Sequence, residues 1–368
     1  MEKRKVKVAT VFSGIGAFEQ ALEKMNIPYD IIFACDNGER EIKVPQDDIK
    51  KYIEENNLTL EEQQQYIKRL YDSTKKENYM KTSYKENYKI PESKWYEDIR
   101  FIDGKNYENE VDFLVGGSPC QSFSIIGKRA GLEDARGTLF YEFARLIKEI
   151  QPKVFIYENV TGMLTHDKGK TWNIILDIFS SLGYRVYSDI LNSMHYGIPQ
   201  NRKRLFVVGF KDVNTCFDFP NQKILEKTMF DFLEEDVDSK YYLGKKGFEF
   251  VTNPKYKARA RVNREIIQTQ KANQQFNWNG DFVFEPLSKV QDNSKIMERA
   301  HVGEFEGEKG VIRQLTNREC LRLMGFSDNF KIVVPDVWAY RQAGNSIVVN
   351  VLESIVKEIM KVVNFYEN

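Results

Sequence analysis

Short, β-branched, apolar runs that each stop at a turn and give way to text of helical spacing constrain this chain more than any other feature. VKVATVF, residues 6–12, breaks at SGIGA and passes into FEQALEKM, whose apolar positions recur at helical intervals. DIIFAC ends at Asp36, and VDFLVGG from Val111 and KVFIYENV from Lys153 repeat the strand pattern. LFYEFARLIKEI from Leu139 and TWNIILDIFSSLG from Thr171 supply helices. Strands alternating with helices predict an α/β fold built on a doubly wound, mostly parallel sheet, whose ligands gather at the carboxyl ends of the strands.

Two stretches interrupt the alternation. Residues from about 44 to 90 are polar and rich in Lys, Glu, Gln and Tyr, and their amphipathic run TLEEQQQYIKRLYD reads as a helical insertion on the surface of the sheet domain. From about Lys211 to Ile312 the rhythm is lost again, and the 368 residues are enough for about two domains at roughly 150 residues each. The first domain is therefore expected to give way there to a smaller second one. Within the latter, Lys240 to Lys271 carries nine Lys/Arg against two Glu, interleaved with Tyr241, Tyr242, Phe248, Phe250 and Tyr256. Over the whole chain 54 basic residues balance 54 acidic ones, so a polyanionic partner must be met by such a local patch.

Four cysteines, Cys35, Cys120, Cys216 and Cys320, stand far apart with no CxxC pair, which argues against a disulfide framework and a structural zinc site. The reading is a reducing, cytoplasmic setting without metal. No run of about 18 uncharged apolar residues predicts a membrane span.

Four segments carry chemistry. FSGIGAF, residues 12–18, is a strand-to-helix turn whose glycines let a ligand approach the main chain, and Asp36 closes the next strand where nucleotide sites place an acid for ribose hydroxyls. Together they suggest a cofactor containing adenosine. GGSPCQSFS, residues 116–124, brings Cys120 to a Gly/Pro-shaped loop at the same sheet edge among small polar residues, a setting that apolar packing does not explain. YENV ends the following strand, so Glu158 arrives there too, either as a solvated strand-end charge or as a buried proton donor. In QNRKR, residues 200–204, Arg202 and Arg204 alternate on an extended segment and are expected to reach one anion or base edge together.

In this order, those segments with RQLTNRE (313–319) and QAGNS (342–346) resemble six signature blocks of the DNA (cytosine-5) methyltransferases, over nearly the whole chain outside the insertion and the variable region. GKRAGLEDARGTLF, from Gly127, is similar to that family's mobile catalytic loop. The resemblance implies a Rossmann-like fold dependent on S-adenosylmethionine, with 1–210 and 325–368 in the catalytic domain and a smaller target-recognition domain over 211–324. It places Phe12, Gly14, Ile15, Gly16 and Ala17 in the cofactor pocket, Asp36 on the ribose, Asn37 beside the adenine, and Asp98 and Ile99 on the adenine edge. Pro119, Leu139, Asn345 and Ser346 complete that pocket. Ser118 departs from the aromatic or proline more usual before Pro-Cys.

The implied chemistry follows from cytosine C5 being a poor nucleophile. A thiolate must add to C6 before C5 accepts a methyl group, and S-adenosylhomocysteine is the other product. Cys120 is then the nucleophile, Glu158 the carboxyl at N3, Arg204 the donor to O2 and Arg202 the support of Glu158 or the loop. The cytosine must be rotated out of double-stranded DNA. Gln121, Ser122, Ser124, Lys128 and Arg136 are expected at the DNA on the loop, and Lys255, Lys257, Arg259 and Arg261 on the basic stretch. The expected enzyme is a monomer, the modification half of a restriction-modification system; a cognate restriction endonuclease is inferred from the family alone. Three rival readings are a tRNA cytosine-5 methyltransferase, a catalytically silent DNA-binding relative, and a nicotinamide oxidoreductase. The long variable region opposes the first, intact Cys120, Glu158 and Arg204 the second, and the Pro-Cys-Gln run the third. The insertion reads as a solvated helical hairpin in preference to a surface for flanking DNA.

Overall fold

The computed structural model describes residues 4–118, 139–273 and 278–366. Its chain divides into two compact units: Met1–Leu191 with Lys203–Asn221 and Leu352–Asn368, and Asn192–Arg202 with Gln222–Val351. Residues 192–202 and 325–351, grouped with the first domain by the sequence boundaries, fall in the second unit.

The first unit is built on a seven-stranded sheet. Its strands are β1 (Val6–Val11), β2 (Tyr29–Cys35), β3 (Trp95–Tyr96), β4 (Phe113–Gly116), β5 (Val154–Val160), β6 (Arg185–Asn192) and, past the two-residue β7 (Gln200–Asn201), β8 (Lys203–Phe210). They lie in the order β3-β2-β1-β4-β5-β8-β6. All pairings from β3 to β5 are parallel, and β8 runs antiparallel to β5. Strand β1 has β2 on one side and β4 on the other, so the chain leaves it in opposite directions. A crevice must open outside the carboxyl ends of β1 and β4.

Helix α1 (Ala17–Lys24) follows the first turn, and α2 (Gln46–Glu55), α3 (Leu60–Asp72) and α4 (Tyr79–Tyr88) make up the insertion. Helices α5 (Leu139–Ile150) and α6 (Lys170–Ser181) flank β5 in sequence. The helical spacing of LFYEFARLIKEI puts Phe140, Phe143, Leu146, Ile147 and Ile150 on one buried face. That face joins Leu114, Phe155, Tyr157 and Phe179 in the main core. Rings of Phe143 and Phe155 meet edge to face with centroids 6.2 Å apart. Gly209 of β8 opposes Phe155 of β5; a side chain there would occupy the space of the Phe155 ring.

The insertion is more than a solvated hairpin. Thr59 and Glu62 close a reciprocal capping box at the start of α3. Ile49, Ile67 and Tyr71 form a small core of their own, and Tyr84 of α4 packs with Ile31, Ala34, Ile90 and Trp95 at the β2–β3 edge of the sheet.

The second unit holds a four-stranded sheet, β12-β13-β11-β9, from β9 (Ala260–Val262), β11 (Gly280–Pro286), β12 (Gly303–Phe305) and β13 (Glu308–Gln314), with β10 (Ile267–Gln268) pairing β7 separately. Helix α7 (Lys245–Thr252) contributes Phe248 and Val251 to a core with Phe282, Phe284 and Ile312. Helices α8 (Asn317–Arg322), α9 (Asp336–Asn345) and α10 (Val349–Val362) follow, the last passing into the first unit. Arg313 is fully buried. Its guanidinium forks onto Glu319 at 2.9 Å twice and reaches Glu285 at 3.1 Å; Tyr242 donates to the other Glu285 oxygen at 2.6 Å. Glu319 also accepts from the backbone N–H of Glu234 and Thr316, so a charge that would be very costly alone is matched at every oxygen. Among the described residues no helix is long and apolar enough to cross a membrane.

Candidate active site

Three non-extended residues bend the chain out of β1: Phe12 at φ 53°, Gly14 at φ 54° and Gly16 at φ 79°. Among the described residues nothing lies within 4 Å of where a Gly14 side chain would project, so the main chain there is open on that side. Asp36, at the end of β2, accepts from the Gly14 N–H at 2.9 Å and from the Gly38 N–H at 2.8 Å. Burial pushes its carboxyl above the ordinary range, against the pull of those two amides. Each oxygen keeps a lone pair beyond its amide, which suits a diol at this edge.

The remaining predicted cofactor residues are placed as follows. Ile15 and Ala17 are buried at the start of α1, and Ile99 lies in the main core. Leu139 is half-buried against that core. The Asn37 side chain is engaged in its own turn, donating to Arg40 O at 2.9 Å and accepting from Glu39 N–H at 3.0 Å. Asp98 is buried and heavily bonded: Arg100 Nε reaches both its oxygens at 3.0 Å, and Tyr71 donates to Oδ2 at 2.6 Å. Asn345 is exposed and Ser346 buried, both in the second unit. The open glycine turn and the Asp36 carboxylate, side by side at the switch point, fit an adenosine-type cofactor. Among the described residues no group of His, Cys, Asp and Glu is arranged to hold a metal ion.

The tips of β4 and β5 meet beside that turn. Gly117 approaches β5 so closely that a side chain there would sit 2.6 Å from the Glu158 carbonyl and 3.1 Å from its Oε2. Ser118 is buried, its hydroxyl 2.6 Å from the Tyr157 hydroxyl. Asn159, also buried, donates to the Ser118 carbonyl at 2.8 Å and to the Tyr157 hydroxyl at 3.0 Å. Ser118 thus serves as a polar clasp in place of the bulkier residue the family pattern favours. Pro119, Cys120, Gln121, Ser122, Ser124, Lys128 and Arg136 lie outside the described residues.

Arg204, the second residue of β8, pairs with Glu158 at 3.1 Å, both side chains largely shielded. Arg202 bonds to other groups than Glu158 among the described residues. It donates to the carbonyls of Gln270 (2.9 Å), Gly344 (3.2 Å) and Ser346 (2.8 Å) inside the second unit. The reason is local: residue 202 falls in the break between β7 and β8, where the side-chain alternation of an extended run is interrupted. Arg202 is a structural tie there, and Arg204 is the arginine at the carboxylate.

On the second unit, Lys255, Lys257 and Arg259 are exposed and form no ion pair among the described residues, while Arg261 is half-buried on β9. Beside them Phe250 and Tyr256 stack with centroids 4.2 Å apart, and Trp278 lies 5.3 Å from Phe250. Sequence reasoning missed Asp281, aligned with Arg261 across β9 and β11. It also missed Tyr71, Asn78 and Tyr88 of the insertion, described below.

Comparison with known proteins is consistent with this geometry. Residues 48–361 match the family described as C-5 cytosine-specific DNA methylase. The chain is 37% identical to the Type II methyltransferase M.HpaII of Haemophilus parainfluenzae, over 74% of this chain and 78% of that protein. It is 28% identical to the orphan methyltransferase M.SPRI of Bacillus phage SPR, over 97% and 98%. The solved structure of S. pombe Dnmt2 methyltransferase shares the fold, with a TM-score of 0.66 at 19% identity over 98% of this chain and all of that one.

Proposed function

The chain belongs to the C-5 cytosine-specific DNA methylase family, and from that membership we propose how its own residues carry the reaction. The family's methyl donor, S-adenosylmethionine, supplies an electrophilic methyl group when bound. Gly14 leaves main chain open to it, Gly16 supplies the left-handed bend that shapes the turn, Asp36 holds its ribose, and Phe12, Asp98 and Ile99 border the adenine.

Cys120 Sγ, as thiolate, adds to C6 of a cytosine extruded from duplex DNA. The C5–C6 electrons move toward C5, and Glu158 hands N3 a proton so that negative charge does not accumulate on the ring. After C5 is methylated, water takes the C5 proton, the C6–S bond breaks with its electrons returning to sulfur, and N3 gives its proton back to Glu158. Arg204, set beside Glu158, orients the carboxylate and donates to the cytosine O2. Lys255, Lys257, Arg259 and Arg261 contact phosphates, with base reading shared by the same unit.

The observation that supports this reading best is the approach of Gly117 to Glu158, with Ser118 clasped by Asn159. It brings the root of the Cys120 segment and a carboxylate to one sheet edge, beside the glycine turn. We propose further that it is a modification enzyme acting as a cytoplasmic monomer on a defined duplex sequence, with a cognate restriction endonuclease; the relatives named as Type II methyltransferases support the modification role alone.

Incubation with labelled S-adenosylmethionine and either duplex DNA or tRNA tests the reading. We expect label in DNA, a covalent complex on 5-fluorocytosine DNA, and loss of both in Cys120→Ser with cofactor binding kept. Label in tRNA alone, or an adduct that survives Cys120→Ser, overturns it.

A further inference from the structure

The insertion touches the proposed cofactor site through three side chains, each from a different place in its helices. Tyr88, at the end of α4, donates its hydroxyl to the Gly16 carbonyl at 2.6 Å, and its ring fills the space that a side chain at Gly16 would need. Asn78, capping the start of α4, donates to the Asp36 carbonyl at 2.8 Å and to Glu97 at 3.0 Å. Tyr71, near the end of α3, donates to Asp98 at 2.6 Å. These three targets sit at the carboxyl ends of β1, β2 and β3, the strand ends to which the proposed function assigns the cofactor. The hydroxyls of Tyr71 and Tyr88 lie in buried surroundings, and burial raises both well above the ordinary tyrosine range, so they stay protonated donors.

We infer that the insertion is the outer wall of the cofactor cradle, with Tyr71, Asn78 and Tyr88 as positioning residues that hold the three strand-end loops in binding geometry. The turn out of β1 uses a positive φ at Phe12 and the bend after β2 one at Glu39, non-glycine residues in a conformation that persists only where the surroundings hold it. Helices α3 and α4 are rigid enough to do so, being anchored by the Tyr84–Trp95 cluster against β2 and by the Ile49–Ile67–Tyr71 cluster. Loops released from this wall must be re-ordered at the moment of binding, and that cost falls on cofactor affinity. It does not fall on the chemical step once the cofactor is saturating.

The inference rests on the cofactor assignment above, and its test separates the two. Tyr71→Phe and Tyr88→Phe keep the rings and remove one donor each. Asn78→Ser keeps a helix cap and removes the amide donor. Calorimetric Kd values for S-adenosylmethionine and S-adenosylhomocysteine, measured on the full chain without DNA, should rise about fivefold for each Phe variant, the effect of one lost hydrogen bond. The double Tyr71→Phe/Tyr88→Phe variant should lose about 25-fold, since the two loops are separate. With cofactor saturating, kcat and the KM for DNA should stay within twofold of wild type.

Tyr184→Phe is the matched control, removing an equally buried hydroxyl bond, to the Pro152 carbonyl at 2.7 Å, away from these loops. It should leave both Kd values unchanged. In the unaltered protein, cofactor should also slow amide exchange along α4. Phe variants that bind cofactor like wild type, a Tyr184→Phe loss of equal size, or α4 amides indifferent to cofactor overturn the inference. Failure of the unaltered chain to bind cofactor overturns the functional reading and this inference together.

Discussion

Replacing Asp281 by Asn should make the second unit more stable above neutral pH and nearly indifferent below about pH 4. Asp281 is 3% exposed. One oxygen accepts from the Gln268 N–H at 3.0 Å, and the other has no partner among the described residues. Burial pushes the carboxyl up to about 7, with the Gln268 amide and the charges of Arg261 and Arg264 only partly opposing it. Against an ordinary value near 3.8 this amounts to roughly 4 kcal/mol. The sign runs against the usual carboxylate: between about pH 4 and 7 the folded chain holds a proton that the unfolded chain releases, so stability falls as pH rises and is flat above 7. Asp281→Asn keeps the acceptor for Gln268 without the charge. Urea unfolding at pH 4, 5, 6, 7 and 8, read by amide exchange of β11 and β13, checks it. The wild type should lose up to about 4 kcal/mol relative to acid, and the variant should not. A wild-type slope that survives the substitution, or a variant weaker than wild type at pH 8, would refute the argument that this buried carboxylate carries the cost.

Glu158→Gln should lower kcat by about 100-fold or more, since an amide N–H is far too weakly acidic to transfer its proton to N3; single-turnover methyl transfer at saturating cofactor measures it. Glu319→Gln leaves Arg313 without its forked counter-charge and should cost about 3–5 kcal/mol, seen as earlier urea unfolding of the second unit. Replacing Lys255, Lys257 and Arg259 together by Ala should lower the slope of log affinity against log salt by about 2.7, at about 0.9 per phosphate contact. Filter binding of duplex DNA over a range of salt concentrations reads that slope.

Much of the first unit was legible because its signals are local and periodic. The run from Leu139 to Ile150 carries its buried face in its spacing, and the apolar stretch ending at Glu158 reads as β5 with its carboxylate at the tip. Asp36 and the glycine turn were recognisable because a strand, a turn and a helix follow in sequence. What escaped was contact across long separations. Tyr88 and Gly16 are 72 positions apart, and a tyrosine in a polar, amphipathic stretch gives no sign that its hydroxyl ends on a distant carbonyl. The Arg202–Arg204 pair misled for the opposite reason. Alternation was read through a residue where the strand breaks, so two side chains expected to converge bond to different units.

The Arg313 cluster sets a rule for chimeras of this enzyme. Its members come from Glu234, Tyr242, Glu285 and the 313–319 segment, so the cross-braced set spans both ends of the variable stretch. A transplant that exchanges only the middle, cut between Tyr242 and Arg313, imports a foreign residue opposite a guanidinium that has no access to water. A working graft must either keep a glutamate at position 285 or run from Glu234 through Glu319, past the end of the stretch whose sequence looks free to vary.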